Sequence, residues 1–236
     1  MTRSDARAVS DVVSFTLVFS TIIFMIGVVT VTGIGTLGDV QAGTESNVAE
    51  ETTRNYASTL ADHREGADRR SVTVKLQGHS LERVNATVGW NVSGENRNNI
   101  STGALVRTTD TDADLVYESG ALFRVEDGGG GVVVRQSPFR CGDRTAHLAV
   151  TTIEGDFSVS SDRRVTLESS LDLENQSITT RDANNVTVYL GGAYRPDQWS
   201  GALAGDWVAG TGDEYTCKNI DRVVVHETTV RIEVVR

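Results

Sequence analysis

Lysine is almost missing from this chain. Of 22 basic residues only Lys75 and Lys218 are lysines, against 32 acidic residues and a formal net charge of −10. No basic patch is left to neutralise phosphates, which excludes a nucleic-acid partner. An acidic, lysine-poor surface stays solvated where salt screens ordinary repulsion, and points to a high-salt setting. Cysteine is equally scarce, with only Cys141 and Cys217, and neither belongs to a CxxC pair of the kind that binds zinc. The four histidines, His63, His79, His147 and His226, are isolated from one another and are expected at the surface or at strand edges. The run Gly128 to Gly131 lacks the Lys-Ser/Thr ending of a phosphate loop, and no Ser sits in G-x-S-x-G. Asp110, Asp112 and Asp114 alternate as in a calcium loop. Leu115 and Ala121, however, stand where such a loop needs Gly and Glu, so an acidic turn competes with a weak cation site. The expectation is therefore no enzyme, no cofactor and no metal.

What the chain does have is one long uncharged run, the 27 positions from Val12 to Gly38. About 20 apolar residues cross a bilayer core of ~30 Å, so the run predicts a single transmembrane helix. It exceeds the ~7–15 residues of a cleaved secretory core and is followed by no A-x-A site. Arg3 and Arg7 precede it, and no Lys or Arg recurs until Arg54. The positive-inside bias then leaves the N-terminus cytoplasmic and the remainder outside.

The residues ahead of the run, "MTRSDARA", end in Arg7-Ala8 and lead directly into Val9-Ser10-Asp11. This start resembles the class III signal of type IV prepilins, and closely resembles haloarchaeal type IV pilin-like proteins. The resemblance implies cleavage by a prepilin peptidase between Ala8 and Val9, with Arg7 and Ala8 as recognition residues and the apolar helix kept. It also implies a role in assembly for Asp11, pairing with the new α-amino group of Val9. Phe15, Phe19, Phe24 and Met25 make the helix bulkier than the small-residue seams that allow close helix approach. They suit a minor pilin or pilin-like envelope protein as well as a major subunit. A plain single-span anchor remains the competing reading.

At the end of the run and just past it, Gly33, Gly35, Gly38 and Gly43 predict a bend. Val48, Thr52, Tyr56 and Leu60, with Ala49 and Ala57 beside them, then mark an amphipathic helix closing near Gly66. From Ser71 the pattern turns to short alternating runs such as "SVTVKLQG", "ALFRVED" and "GVVVRQ", separated by Gly, Asn or Asp. "VEDGGGGVVV" reads as a hairpin, and Pro196 opens a short helical turn with Trp199 and Leu203 on one face. The expected fold is α+β: a long N-terminal hydrophobic helix, the pilin-like spine, followed by an all-β, sandwich-like extracellular domain. Its parts are a leader over 1–8, a transmembrane helix over 9–38, a hinge and amphipathic helix over 39–66, and the β-domain over 67–236.

Outside the cell, Cys141 and Cys217 form a disulfide closing a loop of 76 residues, or remain two unrelated thiols. Five Asn-x-Ser/Thr triplets, at Asn85, Asn91, Asn99, Asn175 and Asn185, fit an N-glycosylated surface protein. Those at Asn85 and Asn185 are expected inside strands. The expected partners are the membrane, the prepilin peptidase and other pilin subunits. The competing function is an anchored extracellular binding module that forms no filament.

Overall fold

A computed structural model describes the backbone of residues 4–109 and 113–235, with side chains for 15–30, 47–109 and 113–235. The chain divides into two units, Met1–Glu45 and Ser46–Arg236. One helix, α1 (Ser4–Arg64), provides the regular structure of the first and opens the second.

In the first unit the helical backbone runs through Gly33, Gly35, Gly38 and Gly43. The large apolar side chains between Phe15 and Val29 are all exposed, from 47% at Val28 to 71% at Phe15 and Phe24. They fall at nearly consecutive positions and so cover the whole circumference of the helix. Thr21 and Thr30 donate their hydroxyls to the carbonyls of Leu17 and Ile26, each at 2.8 Å, so neither leaves an open polar group on that surface. Phe15 and Phe19 stack one turn apart, with ring centroids 6.0 Å from each other.

In the second unit the buried stripe of α1 is Ala49, Tyr56, Ala57 and Leu60, while Val48 is 46% exposed. Of the seam expected through Val48, Thr52, Tyr56 and Leu60 with Ala49 and Ala57 beside it, Tyr56, Leu60 and both alanines are buried and Thr52 is half-buried, so only Val48 leaves the face. Strict four-residue spacing drifts around a helix of 3.6 residues per turn, and the i+7 and i+8 positions hold the face instead. The helix stops in a two-bond cap: Ala67 N–H donates to Asp62 O at 3.0 Å and Gly66 N–H to His63 O at 3.1 Å. Gly66 has φ +98°, the left-handed position at which this cap selects glycine.

Among the described residues seventeen strands follow in three sheets. The first runs in the order β1 (Arg69–Lys75), β12 (Arg164–Asp182), β17 (Arg222–Val235), β10 (Thr145–Glu154), β9 (Arg140–Cys141) and β14 (Ala204–Gly205). The second runs β11 (Ser158–Ser160), β2 (Ser80–Val84), β5 (Ala104–Arg107), β6 (Ala113–Glu118), β7 (Ala121–Glu126) and β8 (Gly131–Arg135). The third runs β15 (Val208–Ala209), β16 (Glu214–Lys218), β13 (Asn185–Tyr189), β3 (Thr87–Val92) and β4 (Asn98–Ser101). Most ladders are antiparallel, but β10 and β17 pair in parallel from Thr145↔Arg222 to Glu154↔Arg231.

Alternation along the strands builds two cores. On the second sheet Leu105, Tyr117 and Leu122 join Tyr56, Ala57 and Leu60 of α1, together with Val165, Leu167, Val230 and Ile232 of the first sheet. Their neighbours Ala104, Val106, Val116 and Phe123 point the other way. That side meets Leu148, Val150 and Val225 of the first sheet and Val88, Trp90, Val186 and Val188 of the third. The expectation of an α+β fold led by a long N-terminal hydrophobic helix, the pilin-like spine, is overturned in its class, while the β-rich unit agrees with the all-β, sandwich-like part of it. The fold is mostly β with three sheets, because the second sheet is apolar on both faces and each face needs its own cover. Among the described residues no helix is long and apolar enough to cross a membrane.

Candidate functional site

Cys141 on β9 and Cys217 on β16 form a disulfide with Cα atoms 5.5 Å apart. The bridge therefore ties the first sheet to the third inside the larger core, where both residues are buried. Gly205, paired with Cys141 on β14, has φ +89°, and a Cβ there would collide with the Cys141 carbonyl. Only glycine allows the two backbones to close at this corner. Beside it lies α2 (Trp199–Ala202), preceded by a 3-10 turn over Pro196–Gln198, as Pro196 predicts. Trp199 is fully buried, with ring centroids 5.8 Å from Phe123 and 5.6 Å from Phe139.

Under this aromatic cluster sits Glu118, the last residue of β6, with no exposed surface. Trp199 Nε1–H donates to its carboxyl at 3.3 Å and the Tyr194 N–H at 3.2 Å. No arginine or lysine of the described residues forms an ion pair with it. Burial pushes its pKa up to about 7, and the N–H donors of Tyr194, Trp199 and Arg195 offset only part of that rise.

Two surfaces carry polar groups in recognisable order. On the outer face of the third sheet the Arg97 guanidinium lies 4.1 Å from the centroid of the Tyr189 ring. Arg97 Nε–H donates to Asn99 at 2.8 Å, and Asn91 Nδ2 donates to the Tyr189 hydroxyl at 3.0 Å. Gly89 makes room for this layer, since a Cβ there would sit 2.6 Å from Asn99 Oδ1. On the first sheet a groove of about 360 Å³ runs past Arg69, Ser71, Glu168, Ser170 and Glu233. Glu168 and Glu233 stand opposite each other across β12 and β17, an arrangement of like charge that costs stability unless a cation or donor lies between them.

The family model of a family of unknown function, DUF7289, matches residues 7–236. The chain belongs to that family. No curated protein and no solved structure matches it.

The family match spans the cleavage residues expected at Arg7, Ala8 and Val9 and the assembly residue Asp11. Their backbone is helical, and their side chains lie outside the described residues. Asp110 and Asp112 also lie outside them, while Asp114 is the second residue of β6. Among the described residues no group of three metal-type ligands converges. The five glycosylation triplets are dispersed over the β unit. Asn85, Asn99 and Asn175 are exposed, whereas Asn91 and Asn185 are half-buried. Asn85 lies in the two-residue link between β2 and β3 rather than inside a strand, and its Oδ1 accepts from Arg83 at 2.7 Å. Asn175 sits in the irregular stretch of β12 between Asp172 and Ser177, with Nδ2 donating to Asp172 at 3.0 Å. Asn185 opens β13.

His63 departs most from the surface role expected of the histidines. It is fully buried, 2.6 Å from the Ala67 carbonyl through Nδ1 and 2.8 Å from Ser169 Oγ through Nε2. Sequence also passes over Glu118 and Arg107, two charged-type residues buried without an opposite charge among the described residues. Each stands at a strand end in a run that reads as ordinary amphipathic structure. The only signal is that their neighbours in sequence are nearly all apolar or small.

Proposed function

We propose that this chain is a type IV pilin-like surface protein. It is attached to the cell membrane by its apolar N-terminal segment and cut between Ala8 and Val9 by a prepilin peptidase. It displays the unit Ser46–Arg236 outside the cell, where it associates with other pilin subunits for adhesion. The observation that carries this reading is the exposure of Phe15 through Val29 on every side of α1. A helix apolar all round has no face for water and calls for lipid or neighbouring apolar helices around it. The start "MTRSDARAVSD" supplies the resemblance to prepilins, and the buried disulfide suits an oxidising compartment.

Mass spectrometry of the N-terminus, on protein from native membranes, tests the proposal. Val9 as the first residue supports it; a chain still carrying Arg7 and Ala8 refutes it. Replacing Arg7 is expected to block maturation while membrane association persists. One observation favours a second reading, an anchored binding module without assembly: the open groove with both charge signs and serine hydroxyls on the first sheet. An unprocessed N-terminus together with membrane retention selects that reading.

A further inference from the structure

Three of the five Asn-x-Ser/Thr triplets reach the third sheet, each on a different strand: Asn91 on β3, Asn99 on β4 and Asn185 at the start of β13. The register sets all three on one face. Asn91 is opposed by Thr187, two residues on from Asn185, and Gly89, two residues before Asn91, is opposed by Asn99. Residues two apart in a strand, and residues directly opposed across a ladder, project to the same side. It is the outer side, because the alternate positions Val88, Trp90, Val186 and Val188 fill the core. The same alternation brings Ser101 out beside Asn99 and Thr187 out beside Asn185, so these two triplets show both the asparagine and the hydroxyl residue on this face.

The rest of the face is polar. Thr87 is opposed by Ser101, Thr187 Oγ1 lies 2.9 Å from Thr216 Oγ1, and Lys218 is opposed by Asn185. Val208, on the edge strand β15, is the one large apolar side chain that the third sheet exposes among the described residues. By contrast, Leu173, Ile178 and Val235 are exposed on the first sheet and Val132 on the second. A protein neighbour finds little apolar area to bury on the third sheet, whereas rows of hydroxyls and amides match the hydrogen-bonding groups of a sugar. Of the three asparagines, Asn91 is taken up by its bond to the Tyr189 hydroxyl. Asn99 is exposed with only its Oδ1 engaged, by Arg97. Asn185 is half-buried, and its amide makes no side-chain hydrogen bond among the described residues.

We infer that this outer face is covered by oligosaccharide, with N-linked sugar on Asn99 and Asn185 closing it to macromolecular partners. Each sugar chain comes from a lipid-phosphate-linked oligosaccharide. Nδ2 bonds to the anomeric carbon of the first sugar, that carbon's bond to the phosphate oxygen breaks, and the amide proton and the lipid phosphate leave. Such a coat rests on the proposed placement of the unit Ser46–Arg236 outside the cell.

The two lysines supply the test. Lys218 projects from this face directly beside Asn185, with Cβ atoms about 5 Å apart, while Lys75 is exposed on β1 of the first sheet. Glycopeptide mass spectrometry of the native full-length protein is expected to find sugar on both Asn99 and Asn185. A polymer-linked amine-acylating reagent is expected to modify Lys218 several-fold more slowly than Lys75. Asn185→Gln is expected to raise the Lys218 rate several-fold and leave Lys75 unchanged. Thr187→Ala, which removes the triplet but keeps Asn185, is expected to do the same. Sugar missing from either asparagine overturns the inference, as does a Lys218 rate equal in wild type and both variants. The N-terminus, read from the same sample, separates this coat from the pilin reading. Val9 as the first residue of a sugar-free chain overturns the coat alone; Arg7 retained on a chain sugared at both sites overturns the cleavage alone.

Discussion

The carboxyl of Glu118 gives the sharpest prediction, because nothing charged compensates it. In the unfolded chain it titrates near 4.5, and in the folded protein burial holds its pKa at about 7. Between these values the unfolded state gives up the proton while the folded state keeps it, so ionisation has to be forced in the fold. Stability therefore falls as pH rises from 4.5 to 7, and the loss is complete above 7. A rise of 2.5 units, 7 minus 4.5, corresponds to an effect on the order of 3 kcal/mol at 1.36 kcal/mol per unit. No discount for solvent screening applies, since the residue is fully buried. Between pH 5 and 8 most of it, about 2–3 kcal/mol, is read out, because the unfolded carboxyl is already partly ionised at pH 5. The perturbation that isolates it is Glu118→Gln, which keeps an acceptor for the Trp199 indole but cannot ionise. Denaturant unfolding by circular dichroism at pH 5 and pH 8, with salt fixed, gives the four free energies needed. Wild type is expected to lose about 2–3 kcal/mol more than the variant over that interval. The other carboxylates contribute equally to both chains and cancel. Parallel pH dependences in wild type and variant refute the reasoning: the carboxyl is then solvated, or compensated by a charge that the geometry does not contain.

Removing the bridge with Cys141→Ser and Cys217→Ser opens a loop of 76 residues and is expected to cost about 4 kcal/mol. It is measured as a lower unfolding midpoint that matches the reduced wild type. Glycopeptide mass spectrometry of native protein is expected to find sugar at Asn85 and Asn99, whose amide nitrogens carry no bond to the protein and whose side chains are exposed. Asn91 is expected to be bare, because its nitrogen is held by the Tyr189 hydroxyl; full occupancy at Asn91 contradicts the placement of that side chain.

Much of the local structure was legible because it is set by neighbours in the chain. The four glycines of "DGGGGV" announce the β7–β8 hairpin, Pro196 announces the turn that carries Trp199, and Gly66 announces the end of α1. Two lone cysteines in an otherwise cysteine-free chain made the bridge readable. The division into three sheets was not. It depends on which strand meets which, as when β1 reaches across to β12 and β13 to β3, and period-two alternation looks the same in every sheet. The buried polar residues were hidden for a related reason. "LVYESG" shows a glutamate at a strand end, an exposed position by default, until α2 and the Tyr194 segment fold over it. "ALVRTT" shows an arginine at a strand end until α1 covers it. Burial of a charge is decided by the distant element that covers it.

The pairing order of the strands also sets how this protein acquires its fold. Among the described residues the run β5 to β8 is the one meander of more than two sequence-neighbouring strands. The first sheet joins Arg69 to Ser170 and Thr145 to Arg222, contacts whose chain-closure entropy has to be overcome before any ladder bond repays it. Such a topology folds in milliseconds to seconds rather than microseconds, with the β5–β8 meander forming early and β17 closing the first sheet late. Until β17 inserts, β10 and β12 have open edges, ready to pair with another chain. Oxidation of Cys141 with Cys217 before that step would hold the first and third sheets together and shorten the vulnerable interval.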